Sequence, residues 1–269
     1  MIDIDHLKYL ANENRKRIIN MIYEAKSGHE GGSLSIIDML TAIYEIDVNF
    51  AEEQRSKVVL SKGHTVPALY AVLNSKGIIK DEEMKTLRFI NSRLQGHPYT
   101  GTIPEVDATT GLLGQGLSIA VGMAIASKMD SAGCRVYCLL GDGEIDEGQI
   151  WEATMTASKY KLDNLCIILD NNGLQIDGKI EEVAGLTNIE GKFSNFGLKV
   201  INVDGHNIPN LIDAFDTAKQ TKGVPTIIIA KTIKGKGVSF MEGKAEWHGK
   251  APKQEEYEKA IEELRRGVE

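Results

Sequence analysis

Apolar residues recur at helical spacing between positions 5 and 25 (Leu7, Leu10, Ile18, Ile19, Ile22) and the stretch stops at Gly28, which predicts a helix running into a loop. Ser33 or Ser35 stands where it could cap a second helix reaching about Ile46. Lys57–Ser61 reads as a short strand that delivers His64 to a loop, and His64-Thr65-Val66-Pro67 opens another helix with Pro67 near its first turn. Small and apolar residues from Gly116 to Met129, among them Gly122, Ala124 and Ala126, predict a buried, closely packed helix. Beyond it, apolar runs at 134–140, 164–170, 197–203 and 225–231 alternate with helical patterns at 148–161, 208–220 and 254–267. Such runs belong to strands covered on both faces, so the expected fold is α/β: a doubly wound, mainly parallel sheet with helices on both faces. No internal repeat or low-complexity linker breaks residues 1–269, which are expected to form a single domain.

Composition narrows the classes. The chain has 269 residues, 42% hydrophobic and 26% charged, as a globular protein with a sizeable core does. No apolar run reaches the roughly 18 residues of a membrane span, and the first residues, with Asp3, Asp5 and His6, lack the basic-then-apolar pattern of a signal peptide, so a cytoplasmic location is expected. Cys134, Cys138 and Cys166 fall in predicted strands without Cys-x-x-Cys spacing and read as reduced, buried thiols. A net charge of −7 argues against nucleic acid or an anionic membrane as partner. It leaves phosphorylated sugars open, because a bound cation or local basic cluster can dominate a site.

Two strand ends carry the candidate chemistry. Leu139-Leu140-Gly141-Asp142-Gly143-Glu144 is answered about one βαβ repeat later by Leu169-Asp170-Asn171-Asn172-Gly173-Leu174. Each is an aliphatic run that turns abruptly acidic, amide and glycine-rich, as a parallel strand does where a ligand lies beyond its carboxyl end. A divalent cation holding a diphosphate wants hard oxygen ligands, which the Asp142 carboxylate, the Asn172 amide and the Leu174 carbonyl can supply. Gly143 lets the main chain approach a phosphate, and the helix opening at Gly148 offers unpaired N–H groups nearby. Either half alone is ordinary turn material; the pair points to a diphosphate and metal site.

The stretch from Gly141 to Asp177-Gly178 resembles the thiamine-diphosphate-binding motif. With Ser27-Gly28-His29-Glu30-Gly31-Gly32, Leu60-Ser61-Lys62-Gly63-His64, Gly96-His97-Pro98, Thr110-Gly111-Leu112-Leu113-Gly114-Gln115-Gly116, Asp204-Gly205-His206 and Trp247-His248-Gly249, the chain resembles the amino-terminal, diphosphate-binding half of the transketolase family. The resemblance implies thiamine diphosphate and Mg²⁺ (or Ca²⁺) as cofactors, with Asp142, Asn172 and Leu174 on the metal. It puts His64, Gly143, Glu144, Asn172 and His248 on the cofactor. Gly111, Leu112 and Leu113 would lie behind its rings and Ile176 would pack on the thiazolium. His97 is matched to the donor hydroxymethyl group, and His29 and His248 to the substrate channel. Leu112 and Glu30 stand where the family often has proline. The family's second domain has no counterpart here, so the resemblance implies a separate carboxyl-terminal subunit carrying the pyrimidine-binding domain, assembled as a pair of heterodimers, or else a chain that is a piece of a longer one. Its substrates would be sugar phosphates, exchanged through transfer of a two-carbon ketol unit.

Read from the residues alone, His29, His64, His97 and His248 sit in glycine- or proline-containing loops and stay open between structural and functional roles. His6 lies on a polar helix face. His206 fits a structural place in a strand-to-helix turn. Glu147 and Glu152 read as solvated, although the resemblance places them in a buried carboxylate network between paired sites. Lys231, Lys234 and Lys236 form a basic, glycine-spaced loop that either closes on phosphate or stays solvated. A nicotinamide-dependent dehydrogenase is the rival from another enzyme class, but Gly141–Asp146 lacks the third glycine of a dinucleotide fingerprint. The remaining alternatives are a thiamine enzyme acting on pyruvate or a modified sugar, and a non-catalytic subunit that only binds the cofactor.

Overall fold

The computed structural model describes residues 2–176 and 178–267; Asp177, from the motif above, lies outside the described residues. In chain order the helices are α1 (Ile4–Ala25), α2 (Glu30–Ile46), α3 (Val66–Ser75), α4 (Asp81–Met84), α5 (Gln115–Met129), α6 (Gly148–Lys159), α7 (Ile180–Val183), α8 (Ile189–Asn195), α9 (Ile208–Gln220) and α10 (Gln254–Arg266). The strands are β1 (Lys57–Leu60), β2 (Val136–Gly141), β3 (Leu165–Asn171), β4 (Leu174–Gln175), β5 (Gly178–Lys179), β6 (Lys199–Asp204) and β7 (Thr226–Lys231).

Five strands form one parallel sheet in the order β1-β2-β3-β7-β6, and β4 and β5 make a small antiparallel ribbon. Successive residues of a strand point to opposite faces, and the two cores divide accordingly. Tyr137, Leu139, Cys166, Ile168 and Ile228 join one cluster with α1, α2, α3, α9 and α10, whereas Val136, Cys138, Leu140, Leu165, Ile167 and Ile227 join another with α5 and α6. Both faces of the central strands are thus covered, which is why these strands read as unbroken apolar runs. Cys138 and Cys166 are buried and unpaired; Cys134 falls just before β2 and is half-buried.

Two expectations are corrected. Helix α2 begins at Glu30, not after Ser33 or Ser35: His29 occupies the N-cap position at φ 92°, and the serine hydroxyls instead donate to the carbonyls of His29 (2.7 Å) and Gly32 (2.9 Å). Helix α5 is buried on one face only. Leu117, Ala120, Val121 and Ala124 face the sheet, while Ile119 is 37% and Met129 79% exposed. The helix is apolar all round, but the sheet covers just one side of it. No described helix is long and apolar enough to cross a membrane.

Candidate active site

Strands β2 and β3 end side by side, with Gly141 opposite Asp170. Asp142, the next residue after β2, is 3% exposed. Its Oδ1 accepts the Gly143 N–H (3.0 Å) and its Oδ2 the Gly173 N–H (2.5 Å), tying the two strand-end loops together. Burial, and then the charge of Asp170, push its carboxyl up to about 7. Asn172 accepts the Leu174 N–H on Oδ1 (3.1 Å) and donates from Nδ2 to Asp170 (2.9 Å), which turns its amide in the same loop. Among the described residues no three His, Cys, Asp or Glu side chains gather as a metal cluster. A cation here would rest on one carboxylate with amide and main-chain oxygens, a donor set suited to hard ions such as Mg²⁺ or Ca²⁺ rather than zinc.

The side chains beneath this loop are already engaged. Asp170 is fully buried, yet Lys62, aided by hydrogen bonds from Lys62, Ser35 and Thr232, outweighs the burial and holds its carboxyl below the usual range. Burial raises Glu144, against hydrogen bonds from the Ser61 hydroxyl and the N–H groups of Gly114 (2.9 Å) and Gly141 (3.1 Å). Glu144 thereby pins the Thr110–Gly116 loop to the ends of β1 and β2, and its carboxylate is spent on that task.

Above these groups lies a cavity of about 250 Å³. His64, His97, Gly111, Leu113, Asp142, Gly143, Glu144, Asn172, Leu174, Ile176 and His248 all line it. His29 stands just outside, its ring centroid 5.3 Å from those of both His64 and His248, which are themselves 5.0 Å apart. Leu112 is the one sequence candidate turned away: its side chain is 76% exposed. Gly111 has φ +156°, and a Cβ there would sit 3.3 Å from His97 Cδ2, so the main chain approaches His97 closely. Burial pushes every one of these rings below the ordinary histidine value. The next cause is Lys62 for His64, Arg88 for His29 and His97, and Lys234 for His248; His29 and His248 fall to about 4.

Sequence reading passed over several cavity residues. Lys62 and Gln175 line it, and the Gln175 Nε2 is buried without a partner. Lys234, left undecided, is buried and points in, its Nζ 3.2 Å from His248 Nδ1; burial, then Lys62, lower it to about 8. Its neighbours differ: Lys236 pairs with Glu242 (3.3 Å) and Lys231 is exposed. Arg88 was missed altogether. His206 has the expected structural place, with Nδ1 on Asp38 (2.8 Å) and Nε2 accepting the Ile233 N–H (2.9 Å). Glu147 and Glu152 are exposed, so among the described residues they form no buried carboxylate network.

Residues 7–267 match the family model described as "Transketolase, thiamine diphosphate binding domain". The chain belongs to the transketolase family. It is 43% identical over 274 residues to a subunit of the apulose-4-phosphate transketolase of Phocaeicola vulgatus, spanning 100% of this chain and 97% of the relative. Identity is also 43% over 263 residues to the 6-deoxy-6-sulfo-D-fructose transketolase subunit SqwG of a Clostridium species, covering 96% of each. Human transketolase is 40% identical over 96% of this chain, but only 42% of its own length is matched. The crystal structure of transketolase from Campylobacter jejuni superposes with a TM-score of 0.90 at 33% identity, covering 98% of this chain and 43% of that one. The chain therefore spans about two fifths of full-length transketolases and almost the whole of relatives that are themselves single transketolase subunits. It is an amino-terminal transketolase subunit of the thiamine-diphosphate-dependent kind, and the comparisons do not favour the alternatives.

Proposed function

We propose that this chain anchors thiamine diphosphate in a two-subunit transketolase that moves a two-carbon ketol unit from a ketose phosphate to an aldose phosphate. One observation carries the reading: a single cavity gathers the Asp142 carboxylate, the Asn172 amide, Lys234 and the uncharged rings of His64 and His248. When bound, the cofactor supplies the carbanion that attacks a ketose carbonyl and the electron sink for breaking the C–C bond. Asp142, Asn172 and the Leu174 carbonyl would hold Mg²⁺ (or Ca²⁺), and their chemistry fits it. Gly143, where a Cβ would press on the Gln175 side chain at 3.0 Å, brings main chain to the cavity wall for a phosphate oxygen, and His64 and Lys234 supply donors to the diphosphate. Gly111 and Leu113 on one side and Ile176 on the other supply apolar surface for the rings; Leu112 contributes main chain only. His97 is assigned to the donor's C1 hydroxyl, and His29 and His248 to the sugar in the channel.

The partner is read as a carboxyl-terminal transketolase subunit. Its support is that relatives matched over nearly their whole length are single transketolase subunits, and that apolar side chains on and near α5, Ile119, Met129, Leu112 and Met155, are exposed. Exposed apolar patches of this kind mark association surfaces. Glu147 stands beside the same helix, against Gly114, so an assembled pair of heterodimers would bury it. The free thiols agree with a cytoplasmic setting. Sugar chemistry is the open choice, since two relatives of equal identity are named for different ketoses.

Kinetics of the complex with its partner test the reading through His97→Ala. A site that hydrogen-bonds a hydroxyl discriminates strongly against an analogue lacking it. The expected loss is about 1–3 kcal/mol in kcat/KM for a hydroxyketose donor, with a much smaller loss for its 1-deoxy analogue. Equal losses on both would assign His97 to fold or cofactor instead, and full turnover by the purified single chain would refute the two-subunit reading.

A further inference from the structure

We propose that Arg88 is a positioning residue that fixes His29 as a neutral imidazole with its proton on Nε2, so that His29 meets the substrate as a hydrogen-bond donor and not as a base. Nη2 of Arg88 lies 2.9 Å from His29 Nδ1. A guanidinium has only donors and does not give up its proton in proteins. The histidine nitrogen facing it must therefore be the acceptor, and a neutral ring then carries its hydrogen on Nε2. A doubly protonated ring would set N–H against N–H.

The guanidinium cannot easily turn away. Its Nη1 donates to the Ser27 hydroxyl (2.5 Å) and the Gly28 carbonyl (3.0 Å). That loop is itself wedged in place, because a Cβ at Gly28 would lie 2.4 Å from the Gly249 carbonyl carbon. A main-chain hydrogen bond with Gly28 favours the charged ring, but burial and the surrounding charges outweigh it. Arg88, His97 and Lys234 each oppose a positive charge on it, and His64 and His248 pack beside its ring. The one acid next in sequence, Glu30, is buried and held protonated to about pH 8, so it offers no counter-charge at neutrality; Lys250 and Glu256 lie beyond it.

The arrangement occurs twice. Lys234 Nζ stands 3.2 Å from His248 Nδ1, and an ammonium too has only hydrogens to give. Two rings 5.3 Å apart are thus given the same polarity by two different cations. Both offer an Nε2–H, which selects oxygen acceptors such as a sugar hydroxyl, a carbonyl or a phosphate oxygen. Taken with the ketol-transfer reading on which this consequence rests, proton removal in the channel falls to other groups.

Long-range ¹H–¹⁵N spectra of the ¹⁵N-histidine-labelled full chain, with and without its cofactor and Mg²⁺, test the tautomer directly, the His29 signals being identified by their loss in His29→Asn. The expected wild-type result is a bare Nδ1 and a protonated Nε2 from pH 5 to 8. Arg88→Met should give mixed tautomers and a midpoint above that of wild type, with burial still holding it below an ordinary histidine, while Arg88→Lys keeps the Nε2–H form. In the complete enzyme Arg88→Met should lower kcat/KM about tenfold and shift the His29 ionisation upward in the pH profile, with Arg88→Lys reversing much of both. An Nδ1–H or doubly protonated His29 at pH 7, or an Arg88→Met spectrum unchanged in tautomer and midpoint, overturns the proposal; should Arg88→Met fail to fold, the wild-type spectrum alone decides. Loss of the ketol-transfer reading would show as an inactive complex with the tautomer intact, whereas loss of this proposal would show as an active complex with the wrong tautomer.

Discussion

Asp142 and Asp170 close adjacent strands of one sheet and are both buried, yet their carboxylates are displaced in opposite directions. At the end of β3, Asp170 has a lysine, two hydroxyls and an amide around it, and the cation outweighs the burial. At the end of β2, Asp142 has only two main-chain N–H groups as hydrogen-bond partners, and the charge of Asp170 acts on it more strongly than that of Lys62. A buried carboxylate is expensive unless paired or satisfied. The protein compensates one of these acids by itself and leaves the other without an ion-pair partner, which is what a structural acid and a proposed metal ligand would respectively require.

The hardest way to break this contrast is Lys62→Met. Removing one partner of a buried ion pair strands the other charge, so unfolding stability should fall by about 3–5 kcal/mol, seen as a lower midpoint in urea without the cofactor. A loss under about 1 kcal/mol would mean that Asp170 is satisfied by its hydroxyl and amide partners without the lysine.

Asp142→Asn should behave in the reverse manner. Without cofactor its stability should stay within about 1 kcal/mol of wild type, because one lost main-chain hydrogen bond is offset by the removal of repulsion from Asp170. Binding of thiamine diphosphate with Mg²⁺ should weaken about a hundredfold or more, some 2.7 kcal/mol, measured by calorimetry on the complex with its partner, with and without chelator. Unchanged affinity would remove Asp142 from the metal site.

What could be read in the sequence follows the same division. The strands were legible because two-sided burial leaves long apolar runs, and β7, expected at 225–231, spans Thr226–Lys231. The loop proposed to hold a metal stands out in the sequence because its residue types are odd for a strand end. Lys62 and Asp170 do not: their roles arise from pairing across neighbouring strands, and each alone looks like a loop lysine and the last polar residue of a strand. Arg88 escaped because its reach to Ser27, Gly28 and His29 spans some sixty positions of chain. The half-covered face of α5 was misread as buried because hydrophobicity records what a helix can bury, not which surface does the covering. His29 as an N-cap at φ 92° runs against the usual preference for serine, threonine or asparagine there. A departure of that kind at a conformation few residues adopt belongs with functional sites.

Glu30 sharpens the contrast with the smallest effect, because it represents a third outcome: neither side-chain oxygen has a hydrogen-bond partner, Lys250 and Arg88 act on it too weakly to offset burial, and burial pushes its carboxyl up to about 8. It is stable only as the neutral acid. Since the folded chain binds this proton and the unfolded chain, with an ordinary glutamate, has lost it by neutral pH, stability must fall as pH rises. The contribution is intact below the unfolded value near 4.5 and is lost as pH climbs through about 8. Glu30→Gln keeps the shape and removes the ionisation. The difference in unfolding free energy between Glu30→Gln and wild type should therefore grow in the variant's favour by about 1 kcal/mol between pH 7 and pH 8, and level off above that. Taking the difference cancels the titration of Asp142, Glu144 and the histidines, which both proteins share. Parallel stability curves over that range would mean that Glu30 reaches water or a cation in solution, and it would then stand with Asp170 as a compensated acid instead of apart from both.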